Sequence, residues 1–120
     1  MKDLFSEFYR VLSPGSGVRI IVPSLEYAVN AYNEERVSDL LDWPEKYDSI
    51  GGRFNNFMLC ANQHFLMFDF SFLNELLAKC GFIEITREKA RTSRYFEKEH
   101  MQFEPEEGPG DSSLYVECRK

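Results

Sequence analysis

Two groups of polar residues stand where this sequence could do chemistry, and the first surrounds a histidine. His64 lies among aromatic residues in the middle of the chain, and Asn55 and Asn56, with Arg53, form a polar cluster shortly before it. An imidazole can act as a general base near neutral pH, and side-chain amides can bind a small polar ligand. For His64, the roles of general base, hydrogen-bond partner of a substrate and structural cap all stay open, with the structural role favoured. Asparagines in loops most often make turns.

The second group is Ser93 and Arg94, which are followed by Tyr95. They come after a predicted strand, and open α/β sheets bind ligands at the carboxyl ends of their strands. A contact with substrate and a solvated loop are the two interpretations, and the loop is favoured. No Ser or Cys has a base partner at a readable spacing, so we assign no nucleophile and the catalytic residues stay unknown.

Composition and charge limit the partners of this chain. Its 120 residues predict a single domain, 1–120, with an ordinary hydrophobic share of 43% but a high aromatic share of 15%. The net charge is -6, and Lys and Arg form no stripe that could follow a phosphate backbone, so we expect no nucleic-acid partner. No apolar run reaches the roughly 20 residues that span a bilayer, and the N-terminus does not resemble a signal peptide. We therefore expect no membrane partner and a cytoplasmic location.

The cysteines argue against both a disulfide framework and a metal site. Cys60, Cys80 and Cys118 are odd in number and widely spaced. We interpret all three as reduced, and Cys118 as a buried small hydrophobe in a strand.

The hydrophobic pattern predicts an α/β domain in the order helix, strand, helix, long insert, helix, strand, long loop, strand. The strands are expected at 18–22, 82–87 and 114–118. The stretch 42–69 is an aromatic-rich insert without periodicity, and 104–113 is an acidic loop that we expect to be mobile. Because a crossover makes the first two strands parallel and the last strand can return between them, we predict a three-stranded mixed sheet of order 1-3-2 with the last strand antiparallel.

Single residues predict where the helices begin and end. Ser24 and Ser71 are the expected N-caps of two helices, and Gly81 is expected to close the second of these in a left-handed conformation. Asp69 is expected to act as a carboxylate near the same helix N-terminus, a local role favoured over catalysis.

Three stretches resemble class I S-adenosylmethionine-dependent methyltransferases. "LFSEFYRVLSPGSGVRIIVPSLEYAVNAY" is similar to the segment in which a helix ending in an R-V-L-x-P-G-G turn leads into the family's fifth strand. "HFLMFDFSFLNELLAKCGFIEI" resembles the H-x-x-x-Y-D-x-x-S/T-L-x-x-L-L-x-x-A-G-F stretch, and "SSLYVECRK" the S-L-Y-V-E-A-x-K terminus. Ser16, Phe68 and Cys80 depart from these patterns.

The resemblance implies a partial Rossmann-like methyltransferase fold, namely the C-terminal, substrate-side half, with His64 on a substrate-side loop. The family's glycine-rich cofactor turn has no counterpart, because Gly15-Ser16-Gly17 precedes a strand, whereas a cofactor turn follows one. S-adenosylmethionine is thus implied by resemblance only, and no cofactor is expected for this chain alone. We expect activity only if a missing half or a partner supplies the cofactor site. The alternative is a non-catalytic oligomerising or protein-interaction module derived from a methyltransferase.

The apolar strand 18–22, which begins with Val18 and ends with Val22, is expected to have an open edge. The resemblance places its neighbouring strand in the half that has no counterpart here. An exposed apolar edge invites pairing with another strand. We therefore expect a homodimer or a partner chain at this edge, the alternative being that part of the 42–69 insert covers it.

Overall fold

A computed structural model describes residues 1–105 and 111–120 of the chain. These residues form seven regular elements: α1 (Lys2–Val11), β1 (Gly17–Pro23), α2 (Leu25–Asn33), α3 (Ile50–Leu59), α4 (Phe70–Lys79), β2 (Ile83–Glu88) and β3 (Ser113–Arg119). Short 3-10 turns lie at Val37–Asp39, Cys60–Asn62 and Lys98–Met101. The predicted α/β class is confirmed. Residues 106–110, at the centre of the loop that we expected to be mobile, lie outside the described residues.

The sheet has the predicted strand order, β1-β3-β2, with the last strand in the middle and antiparallel to its neighbours. The prediction of a mixed sheet is wrong. The parallel strands β1 and β2 do not pair with each other, because β3 lies between them, and each pairs antiparallel with β3. The β1 ladder runs without a shift from Gly17 opposite Arg119 to Pro23 opposite Ser113. The β2 ladder is irregular between Ile83 and Thr86. The Rossmann-like methyltransferase assignment stays a prediction.

One face of the sheet carries the main hydrophobic core. Side chains alternate between the two faces of a strand, so Val18, Ile20 and Val22 lie on the same face of β1 and pack against this core. Helices α1 and α4 cover that face, and the buried members of the core are Phe5, Phe68, Leu73, Leu77, Phe82, Leu114, Val116 and Cys118. Burial, with a smaller effect of the charge of Glu117, raises the pKa of the Cys118 thiol to about 12. The interpretation of Cys118 as a buried hydrophobe is confirmed.

Helices α2 and α3 pack together in a second, smaller core. Its buried residues are Ala28, Ala31, Leu40 and Phe57. The 42–69 insert was predicted without periodicity and therefore without a helix, but it contains α3, which Ser49 caps by accepting a hydrogen bond from the Gly52 amide. Gly51 and Gly52 occupy the first turn of α3, and glycine disfavours helix by about 1 kcal/mol relative to alanine. Tertiary packing of Phe57 overrides that local preference.

The helix ends follow the predictions at two positions and differ at a third. Ser24 caps α2 by accepting from the Tyr27 amide, and Gly81 has the expected positive φ of 100° after α4. The N-cap of α4 is Asp69 rather than Ser71, because the Asp69 carboxylate accepts from the Phe72 amide at 2.7 Å and from the Ser71 hydroxyl at 2.9 Å. The Phe72 amide is the main cause of a lowered pKa at Asp69, with the Ser71 hydroxyl second.

Replacement of Asp69 by alanine is expected to lower the free energy of unfolding by about 1 kcal/mol, because α4 loses its cap. Asp69→Asn retains an acceptor and should lose less. Since the pKa of Asp69 is lowered by folding, its carboxylate stabilises the protein above the ordinary pKa, and this contribution is lost as the pH falls through the lowered value. Urea unfolding followed by circular dichroism at neutral and acid pH measures both effects. An Asp69→Ala protein as stable as the wild type would contradict this cap.

The opposite face of the sheet carries an arginine whose N–H groups are all bonded. Arg19 donates from Nε and Nη2 to the two carboxylate oxygens of Glu104, at 2.6 and 2.8 Å. Its Nη1 donates to Glu117 at 2.9 Å and to the Thr92 carbonyl at 2.8 Å, and Nη2 also donates to the Lys89 carbonyl at 2.8 Å. The side chains of Arg19, Glu104 and Glu117 are each at most 8% exposed, so these three residues form a buried ion-pair cluster.

The ion-pair cluster ties the connection between β2 and β3 to the sheet. Glu104 also accepts from the Arg91 amide at 2.7 Å, and Glu117 from the Arg94 amide at 2.9 Å. The hydrogen bonds from Arg19 are the main cause of a lowered pKa at Glu104. Glu104, the first residue of the expected mobile loop, is therefore a buried anchor of the 89–104 segment.

Arg19→Met is expected to lower the free energy of unfolding by about 3–5 kcal/mol, because two buried carboxylates lose their counter-ion. The matched control is Arg87→Met, which removes an exposed ion pair with Glu26 and should cost less than about 1 kcal/mol. The pKa of Glu104 is lowered by folding, so the ion pair stabilises above the ordinary value near 4.5 and its contribution disappears as the pH falls below it. The difference in the free energy of unfolding between wild type and Arg19→Met should therefore become smaller at acid pH.

Urea unfolding of the three proteins at neutral and acid pH measures these free energies. Equal decreases in the free energy of unfolding for Arg19→Met and Arg87→Met would show that the ion-pair cluster does not anchor the connection between β2 and β3. If Arg19→Met does not fold, Arg19→Lys, which keeps the charge but loses the paired bonds to Glu104, supplies the measurement.

Candidate functional site

A cavity of about 330 Å³ opens at the carboxyl end of β1. Three stretches of chain meet there, because the Ser24 amide donates to the Ser112 carbonyl at 2.9 Å and the Leu25 amide to the Phe68 carbonyl at 2.8 Å. Mostly apolar walls with a few polar groups are typical of small-molecule sites. The lining residues are Ile21, Val22, Pro23, Leu41, Phe57, Cys60, His64, Ser112 and Ser113.

His64 lies in the wall of this cavity in a fixed orientation. Its Nδ1 lies 2.9 Å from the Phe57 carbonyl oxygen. A carbonyl can only accept, so Nδ1 carries a proton in this contact, and Nε2 of the neutral ring is left as an acceptor. The Phe57 contact is a structural role, as favoured from the sequence, and it leaves the second nitrogen available for a ligand.

The chain reaches His64 through an unusual turn. After α3, three consecutive non-glycine residues have positive φ, Cys60 at 41°, Ala61 at 51° and Asn62 at 65°. Each such conformation costs about 1 kcal/mol or more, and strained backbone clusters at functional sites. The turn brings His64 back beside the last turns of α3, where its amide donates to the Leu59 carbonyl.

The sequence analysis missed three polar residues of the cavity wall, Cys60, Ser112 and Ser113. Cys60 is half-buried, and its sulfur lies 4.0 Å from the side-chain oxygen of Gln63. Within the described residues no hydrogen bond joins Cys60 to His64, whose Nδ1 bonds the Phe57 carbonyl instead. No local pattern pointed to these residues, because they come together only when α3 packs beside the start of β3.

Asn55 and Asn56 lie together, but at a different place from His64. They line a separate hollow of about 200 Å³ with Pro44 and Tyr47. The side-chain amide of Asn55 donates to the Gly51 carbonyl at 2.9 Å. Asn56 is buried and donates to the carbonyls of residues 41 and 45, at 3.1 and 2.7 Å. Both amide groups therefore bind backbone, and Asn56 fixes the segment that leads into α3.

Ser93 and Arg94 lie at a third place, in the turn after β2. The Ser93 hydroxyl accepts from the Tyr95 and Phe96 amides at 3.0 and 2.8 Å. The Arg94 side chain lies 3.1 Å from the Glu88 carboxylate. The structure thus keeps the predicted residues in three separate places, of which only that of His64 borders the cavity at the end of β1.

A second cavity, of about 340 Å³, lies on the other side of Ile21. Arg19 and Glu104 form its polar wall, and Phe96 and Met101 its apolar wall, with His100 beside them. The polar groups of Arg19 and Glu104 already bond each other, so they have little hydrogen-bonding capacity left for a ligand. Ile21 borders both cavities.

Among residues 1–105 and 111–120, no group of three or more His, Cys, Asp or Glu side chains could hold a metal ion. In the same residues, no helix has the length and apolar character needed to cross a membrane.

Comparison of the chain with protein-family models, with curated proteins and with solved structures finds no match. The resemblance to methyltransferases therefore stays a prediction from the three sequence stretches.

The cysteines offer a direct test of the cavity wall. Cys60 should react with N-ethylmaleimide in the folded protein, because it is half-buried beside the cavity. Cys118 should stay unmodified until the protein is denatured, because burial raises the pKa of its thiol to about 12 and leaves it neutral. Peptide mapping by mass spectrometry at mildly alkaline pH measures both. Equal rates at the two thiols in the folded protein would contradict the described packing.

Proposed function

We propose that this chain forms the acceptor-binding half of an S-adenosylmethionine-dependent methyltransferase. The observation that carries the proposal is the cavity beside His64 at the carboxyl end of β1, whose mostly apolar walls with a few polar groups are typical of small-molecule sites. The resemblance of the chain to the substrate-side half of such enzymes points to the same loop. The cavity would receive the methyl acceptor.

The chemistry of the walls limits the acceptor. Leu41, Phe57 and Ile21 make most of the surface apolar, and Nε2 of His64 can accept one hydrogen bond. A ligand with an apolar body and a single O–H or N–H group fits this arrangement. His64 would orient that group and take up its proton.

The residues of this chain do not fit the methyl donor. A donor site needs a glycine-rich turn that follows a strand and lets backbone amides approach the cofactor. Here β1 runs through Pro23 and Ser24 directly into α2, whereas Gly15 precedes the strand and Gly17 is its first residue. Another segment or a partner chain would have to hold the donor, and we expect no activity from this chain alone.

A non-catalytic oligomerising or protein-binding module is the second candidate. The observation that favours it is the position of β1 at the edge of the sheet, where β3 is its one strand partner among the described residues.

Amide chemical shifts measured during a titration with phenol test the acceptor cavity. Phenol has an apolar ring and one O–H group, so we expect saturable shifts at Cys60, His64 and Ser113 and none at Asn55 or Ser93. His64→Asn keeps a donor for the Phe57 carbonyl but loses Nε2, and should weaken binding about five- to tenfold, the loss expected for one hydrogen bond. No shifts at the cavity would overturn the acceptor site and favour the module.

A parallel titration with S-adenosylmethionine tests the missing donor site. We expect no tight, saturable binding to this chain alone. Tight binding would show that the chain itself holds a donor site, and would overturn the proposal that it forms only the acceptor half.

A further inference from the structure

We propose that the open edge of β1 pairs with the same edge of a second copy of this chain, in one defined register. The β1 strand lies at the end of the strand order β1-β3-β2, and its ladder with β3 is regular over all seven residues, Gly17–Pro23. A regular edge is a template for another strand.

The hydrogen-bond pattern shows which residues of β1 face this edge. At the two ends of the β1–β3 ladder, the Lys120 amide donates to the Ser16 carbonyl and the Ser24 amide to the Ser112 carbonyl. Hydrogen-bonded and non-bonded positions alternate in an antiparallel ladder, so the even-numbered residues of β1 bond β3. The amide and carbonyl groups of Arg19 and Ile21 therefore point to the open edge.

The other edge of the sheet is poorly suited to pairing. Strand β2 carries Glu84, Arg87 and Glu88, and its backbone is irregular after Ile83, with a positive φ of 52° at Glu84. Charged residues and bulges are the usual protection of an edge strand. The β1 edge is regular up to Pro23, after which Ser24 bridges Phe68, and it carries the exposed side chain of Ile21.

The residue types select the register. Two other registers of a two-fold antiparallel pair are unfavourable. If Arg19 lies opposite Arg19 of the second copy, two like charges meet. If Ile21 lies opposite Ile21, Arg19 faces Pro23, which has no amide hydrogen to donate. Opposing Arg19 to Ile21 of the second copy avoids both and lets each pair exchange two hydrogen bonds. Ile20 then faces Ile20 of the second copy on the two-fold axis.

This register also fills a cavity. Ile21 of the second copy lies beside Arg19 on the same face of the joined sheet, next to the 340 Å³ cavity whose apolar wall is Phe96 and Met101. The Ile21 side chain, 46% exposed in one copy, would be covered there. The fit is reciprocal, as a two-fold contact requires.

The other face of the joined sheet supplies more apolar surface. Helix α1 leads into β1, and its Phe5 belongs to the same core as Val18 and Ile20 of that strand. Leu4, Phe8 and Val11 are exposed on α1 at helical spacing. A two-fold axis normal to the sheet brings both copies of α1 to one face, where these side chains would be buried.

Light scattering over a concentration series tests the dimer. We expect the mass to rise from one chain towards two, more readily at high salt because each copy has a net charge of -6. Ile21→Lys should raise the midpoint concentration about tenfold or more, whereas Ile83→Lys, at a similarly exposed isoleucine of the β2 edge, should not. A single-chain mass at every concentration would overturn the dimer, as would equal effects of the two substitutions.

Cysteine cross-linking tests the register in a Cys60→Ser, Cys80→Ser, Cys118→Ala background, since Cys118 lies opposite Val18 in the β1–β3 ladder. Ile20→Cys should form a disulfide-linked dimer, because opposed non-bonded residues lie about 4.5 Å apart at Cα, within disulfide range. Val18→Cys and Val22→Cys should cross-link when mixed but not alone, since the register opposes Val18 to Val22 of the second copy. Self-linking of Val18→Cys as fast as Ile20→Cys would overturn the register. The mixed pair keeps the test decisive if Ile20→Cys does not fold.

Discussion

The buried guanidinium of Arg19 is the interaction on which one whole side of this molecule depends. The segment from β2 to β3 is long, and bringing it back over the sheet costs conformational entropy that its few buried apolar residues, among them Ala90 and Met101, offset only in part. Arg19 binds that segment at Glu104 and at two backbone carbonyls. A buried charge is tolerated only when its bonds are complete, and here every N–H has an acceptor. The wall of the second cavity and the support behind the β1 edge both follow from this anchor.

Strand β1 contributes to four surfaces, and the alternation of its side chains and backbone groups distributes its residues among them. Val18, Ile20 and Val22 enter the main core, whereas Arg19 and Ile21 lie on the ion-pair side. The backbone groups of these same two odd-numbered residues face the open edge. At the carboxyl end, Pro23 and Ser24 turn the chain at once into α2, so the end of the strand stays open as a cavity wall. The period of two in a strand is thus enough to place a core, a buried charge, an edge and a ligand cavity within seven residues, Gly17–Pro23.

Features set by neighbouring residues could be predicted from the sequence, and features set by distant residues could not. The Ser24 cap, the left-handed Gly81 and the strand order follow from local chemistry and connection rules. Helix α3 was missed because Gly51 and Gly52 stand in its first turn, and Ser71 was preferred to Asp69 because both residue types cap helices. Arg19 lies 85 and 98 positions from its two carboxylate partners, Glu104 and Glu117. The sequence around Arg19 therefore could not identify these partners. A charge within an apolar strand was nevertheless a signal, since such a charge requires a buried counter-ion.

The proposed catalytic role and the proposed dimer compete for the same backbone groups. A strand edge has one set of amides and carbonyls, so β1 can pair with one added strand at a time. If a segment that holds the methyl donor joins the acceptor half through β1, it must displace the second copy. The self-paired dimer would then be a resting form whose exposed Ile21 and α1 residues are covered, and the concentration of the donor-binding partner relative to that of the chain itself would set the fraction competent for catalysis. Ile21 lines the cavity beside His64 and would also be covered in the dimer, so acceptor binding and self-pairing both involve this residue.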